Sequence, residues 1–134
     1  MTTPLTAHEL NQLTSAVIAN AITVHRELGP GLLESAYLAC LLHELSSSSL
    51  RVETQRPLSL VYRGVKIDCV YRADLIVNEA VLVEVKALDD IAPVHARQLR
   101  TYLRLAGCRV GLLLNFGAAT MKDGIKRVVN GFPE

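Results

Sequence analysis

The sequence predicts a mixed α/β fold, a sheet with helices packed against it, and three observations carry that prediction. Half of the 134 residues are hydrophobic and 20% are charged, with a mean hydropathy of +0.28. That is too apolar for a disordered chain and fits a sheet buried on both faces. Apolar residues recur at steps of three and four near the start and again late in the chain, whereas the middle alternates with period two. The run 110–116, finally, is apolar enough for a fully buried strand. The length suits a single domain over 1–134.

Each element follows in order. Leu13, Val17, Ala21, Val24 and Leu28 form one face of a first helix over 10–28. It stops at Gly29-Pro30-Gly31, where Gly takes a left-handed position and Pro cannot continue the helix. A second helix begins near Leu32, turns Leu33, Ala36, Tyr37, Cys40, Leu41 and Leu45 inward, and ends in a serine loop at 46–49. Strands are expected at 52–60 and 61–67, interrupted by a turn at Arg63-Gly64, and then at 69–77 and 81–87, joined by Asn78-Glu79-Ala80. Asp89 and Asp90 are expected to serve the N-terminus of a helix that opens at Pro93 and runs to Ala106, where Gly107 stops it. The link from the 81–87 strand through this helix to 110–116 should be a right-handed parallel crossover. Residues 122–129 fit an amphipathic strand or a short helix equally well.

Several classes are excluded early. Fourteen Lys and Arg against 13 Asp and Glu leave a charge of +1, so any affinity for nucleic acid must come from a local patch. Cys40, Cys69 and Cys108 have neither CxxC nor zinc-ligand spacing and read as buried thiols of a reducing, cytoplasmic protein. Residues 1–10 lack the pattern of a secretory signal, and no apolar run approaches the roughly 18 residues that span a bilayer.

Chemistry concentrates in the second hairpin. If Val77 faces Val81, then Leu75 faces Val83 and Ala73 faces Val85, giving one wholly apolar face. On the other face Ile76 meets Leu82, Asp74 meets Glu84, and Arg72 meets Lys86. Facing carboxylates repel unless a positive charge lies between them, which a hard divalent cation such as Mg²⁺ or Mn²⁺ would supply. Lys86, two residues beyond Glu84, projects from the same face. A salt-bridged surface ladder would use the same four residues, although the surrounding valines argue for burial.

These residues resemble a known family. Asp74 followed by Glu84-Val85-Lys86 is similar to the catalytic signature of the PD-(D/E)XK nuclease superfamily, with Ala73 where the signature has Pro. Gly31-Leu32-Leu33-Glu34-Ser35-Ala36-Tyr37 resembles the motif that names the GxxExxY family within it. Further similar segments include His25-Arg26-Glu27-Leu28-Gly29-Pro30-Gly31, Tyr71-Arg72-Ala73-Asp74-Leu75, Pro93-Val94-His95 and Gly111-Leu112-Leu113-Leu114-Asn115-Phe116, so that the resemblance covers residues 13–131.

The resemblance implies a restriction-endonuclease-like αβββαβ core and a Mg²⁺- or Mn²⁺-dependent nuclease in which Asp74, Glu84 and Glu34 hold the metal. Lys86 would orient or help deprotonate the attacking water. Gln98, with Tyr102 four residues on, resembles the QxxxY element of some of these nucleases. Arg97, Arg100 and Arg104 form a basic stripe on the same helix that could follow a phosphate backbone, or simply be a solvated face. Tyr37 is expected to be a core residue or one that positions Glu34, and His25 and His95 to be structural or to support residues of the site from behind. The implied partner is nucleic acid, with DNA expected; a homodimer stays open. The rival expectation is a non-catalytic binding or adaptor protein that keeps the nuclease fold.

Overall fold

The computed structural model describes residues 3–133; the side chains of Cys69 and Val70 lie outside the description, so the reading of Cys69 as a buried thiol falls there. The chain runs α1 (Ala7–Leu28), α2 (Glu34–Ser47), β1 (Val52–Tyr62), β2 (Val65–Val77), β3 (Val81–Lys86), α3 (Pro93–Ala106), β4 (Val110–Asn115) and, after a 3₁₀ turn at Lys122–Gly124, β5 (Ile125–Val129). The ambiguous tail is thus a short 3₁₀ turn followed by a strand. One sheet holds the strands in the order β1-β2-β3-β4-β5; only the β3–β4 pair is parallel, as expected of a crossover through α3.

The helix ends show local chemistry at work. α1 starts at Ala7, three residues earlier than expected, because Thr6 and Glu9 form a reciprocal capping box: the Glu9 N–H donates to Thr6 Oγ1 at 3.1 Å and the Thr6 N–H to Glu9 Oε1 at 3.0 Å. It stops at Gly29, whose φ of 66° favours a residue without Cβ. α2 begins at Glu34 and reaches Ser47, so only the end of the serine run is loop. Leu33, expected inward, is 77% exposed, and Leu28 also reaches the surface. Asp89 and Asp90 do not cap α3; the His95 ring does, Nδ1 accepting from the Ala92 N–H at 2.9 Å.

Two cores sandwich the sheet. On one side α1 and α2 press Val17, Ala21, Tyr37 and Leu41 onto Leu75, Val77, Val83, Val85, Leu112 and Leu114. On the other, α3 packs Leu99, Tyr102 and Leu103 onto Ile76, Leu82 and Leu113. β3 and β4 are buried almost throughout, which is why they read as near-continuous apolar runs. Cys108 is buried, but Cys40 is only half-buried.

The expected strands at 61–67 and 69–77 are one strand, β2, because the tight Arg63-Gly64 turn joins it directly to β1. The pairing shifts by two residues between Leu58↔Tyr71 and Ser59↔Asp68, a bulge that bends the hairpin. A second irregularity sits nearer the sheet centre. Gln55 has φ +50°, and Ala73, expected beside Leu75 and Val77, packs instead into the α3-side core with Leu58. The side of the sheet reached by β1 and β2 therefore changes around Gln55 and its facing residue Asp74.

Candidate active site

That change of side opens the second hairpin where the acids lie. The expected register holds for Val77↔Val81, Ile76↔Leu82 and Leu75↔Val83 and then stops. Beyond it, carboxylates replace the ladder: the Asp74 N–H donates to Glu84 Oε1 at 3.1 Å, and the Val85 N–H donates to Asp74 Oδ2 at 2.9 Å. Each acid grips the opposite strand. The pairs expected next, Ala73 with Val85 and Arg72 with Lys86, do not form; Arg72 lies opposite Pro57 of β1. Gln55, which nothing in the sequence singled out, donates from Nε2 to Asp74 Oδ1 at 3.3 Å.

Burial, and then the charge of Asp74, push the Glu84 carboxyl up to about 8, against the lowering influence of the Asp74 N–H and Lys86. Lys86 ends β3 half-buried, and among the described residues no ion pair within 4.0 Å ties it to either acid. A salt-bridged ladder would require such pairs. Its main chain is firmly held: Phe116 N–H donates to Lys86 O at 2.8 Å.

The next turn is clamped by Asn115, which lies beside Lys86 in the β3–β4 register. Its Oδ1 accepts from Leu88 N–H at 2.8 Å and Gly117 N–H at 3.1 Å, and its Nδ2 donates to Leu88 O at 2.9 Å. Gly117 permits this approach, since a Cβ there would come within 2.1 Å of Leu88 O. A polar residue closing an apolar strand was the signal available for Asn115 in the sequence.

α3 supplies one wall. Gln98 donates from Nε2 to Tyr102 Oη at 3.2 Å. Glu84 alternates with Val83 and Val85 of the opposite core and so faces α3 and Tyr102, whose hydroxyl is raised by burial and by the charge of Glu84. Arg97, Arg100 and Arg104 are exposed.

Glu34 is not gathered with the pair. It is the exposed first residue of α2, and no group of three or more His, Cys, Asp or Glu suited to a metal occurs among the described residues. A chain of contacts does bind the start of α2 to the end of β3. Tyr37, one turn after Glu34, stacks on Phe116 with centroids 4.7 Å apart, and its hydroxyl donates to Gly29 O at 2.5 Å and accepts from Leu32 N–H at 3.0 Å. His25 is buried, its Nε2 2.9 Å from Ala118 O, in keeping with a structural role.

The donor set fits a hard divalent cation. Two carboxylates in contact, one of them buried with a raised affinity for a proton, are what a positive charge between them would relieve. Mg²⁺ accepts so few protein ligands because it retains waters.

No curated protein and no solved structure matches the chain. A family model describing the PD-(D/E)XK nuclease superfamily matches residues 11–128, from within α1 into β5 and including both acids and Lys86; the chain belongs to that superfamily, and its sheet and flanking helices form a restriction-endonuclease-like fold.

Proposed function

We propose that the protein is a metal-dependent nuclease hydrolysing phosphodiester bonds of nucleic acid, with DNA as the expected substrate. The observation that carries this reading is the interlocked pair Asp74 and Glu84, lying at the end of β3 with Lys86 beyond it and the Gln98–Tyr102 pair alongside. Asp74 and Glu84 would hold Mg²⁺ or Mn²⁺, which supplies positive charge at the phosphate oxygens and lowers the pKa of water. Lys86 donates a hydrogen bond that orients the attacking water. Gln98 contacts the substrate from the rim of α3, and Arg97, Arg100 and Arg104 take flanking phosphates. Glu34, exposed and apart from the pair, would complete the set as a third acid only by swinging in from the first turn of α2, whose following turn the Tyr37–Phe116 stack holds near the end of β3.

A non-catalytic binding protein is the second reading, favoured by the near balance of charge at +1. The two part at Lys86. Single-stranded, duplex and branched DNA and RNA are incubated with Mg²⁺ or Mn²⁺ and protein freed of contaminating nucleases. Wild type should cleave at least one substrate, and Lys86→Ala should cut that rate by about a hundredfold or more while metal binding by calorimetry survives. Asp74→Asn should abolish metal binding. Equal cleavage by wild type and Lys86→Ala, or none by either, withdraws the hydrolase in favour of the binding protein.

A further inference from the structure

Beyond the bulge at Leu58/Ser59, β1 and β2 continue as a two-stranded ribbon with no third layer among the described residues. Every residue from 60 to 68 is exposed. Such a ribbon is marginal in water by itself, yet one of its faces is apolar. Tyr62 pairs with Val65 across the ribbon at 58% and 60% exposure, and Leu60 lies two residues before Tyr62 on the same face. Alternation along β1 places these residues on the side of Leu58, which is buried in the α3-side core. Opposite Leu58 is Tyr71, partly exposed, its ring 5.7 Å from that of Tyr102 and tilted by 56°. One face thus runs from Glu84 past Tyr102 and Tyr71 to Tyr62, a reach of about 13 Å from Leu58 along β1 at ~3.3 Å per residue.

We propose that this face is a stacking platform for the unpaired bases of a single-stranded nucleic acid segment leading into the active site. The inference rests on the nuclease reading and gives it a substrate class. Charge identifies the partner: Arg63 in the tip turn, with Lys66 and Arg72, which alternate with the platform residues and so leave the ribbon on its other side, outnumber the one acid between residues 57 and 72, Asp68, although the whole chain is nearly neutral. Phosphates complement that local excess of positive charge. The apolar character selects single strands. Groove edges of a duplex present donors and acceptors, for which this face offers little beyond tyrosine hydroxyls, while base faces are π surfaces that only unpaired bases expose.

The test measures binding in EDTA, so that cleavage plays no part, using a fluorescent single-stranded oligonucleotide and its matching duplex. Wild type should prefer the single strand. Tyr62→Ala, at an exposed position near the tip, should weaken that binding about tenfold and Tyr62→Phe should preserve it. The platform is overturned if wild type does not bind the single strand, if Tyr62→Ala binds it as tightly as wild type, or if wild type sediments as a dimer that Tyr62→Ala dissociates, which would make a second copy the occupant. Cleavage by wild type with Mg²⁺ is scored separately: its absence sinks the nuclease reading and leaves the binding result standing.

Discussion

Glu84 holds a proton that an ordinary glutamate would have lost. Its carboxyl is buried against Asp74 and pushed up from 4.5 to about 8. Between those values the folded protein binds a proton that the unfolded chain releases, so metal-free stability should fall as pH rises across the interval, by about 1 kcal/mol per pH unit at the steepest, and level off on either side. Denaturant titrations across this range check the slope, and Glu84→Gln should flatten it. Mg²⁺ should also flatten it, because a cation that binds only the folded pair takes over the proton's role. A slope unchanged by Glu84→Gln would mean that another group holds the proton.

At the scale of elements, the site depends on how β3 ends. Asn115 satisfies both main-chain groups of Leu88 and the Gly117 N–H. Asn115→Ala would strand those groups beside a buried strand and should destabilise the fold by about 2–3 kcal/mol in urea titrations; a loss below about 0.5 kcal/mol would show that water replaces the clamp. The elements legible in the sequence were those whose signal is local. β3, α3 and β4 announce themselves through apolar runs, Pro93 and Gly107, and the hairpin register correctly faced Val77 with Val81 and brought Asp74 to Glu84. Features that depend on a partner remote in sequence were not legible. The Gln55–Asp74 change of side, the bulge at Leu58/Ser59 and the Asn115 clamp all join residues nine or more apart. The start of α1 is a different case, since the Thr6–Glu9 spacing was a sequence signal in plain view.

Across the whole molecule, a charge of +1 gives no long-range pull toward a polyanion, so nucleic acid affinity has to be assembled from placed cations. At 100° per residue Arg97, Arg100 and Arg104 fall on the flank of α3 turned away from the core stripe Leu99 and Leu103, while Gln98 and Tyr102 occupy the flank toward the acids. No ion pair engages the three arginines among the described residues. A strand seated at the acids and crossing α3 would meet this stripe after Gln98. Each cation that neutralises a phosphate of a single strand contributes about −0.7 to the slope of log affinity against log salt, so replacing all three with Gln should make that slope shallower by about 2. Binding in EDTA over a range of salt concentrations measures it, alongside the Tyr62 variants. The two substitutions should act differently: loss of the tyrosine lowers affinity at every salt concentration, whereas loss of the arginines lowers it most at low salt, where counterion release contributes most. A salt slope unchanged by the triple substitution would leave the stripe as a solvated helix face and confine recognition to the ribbon and the acids.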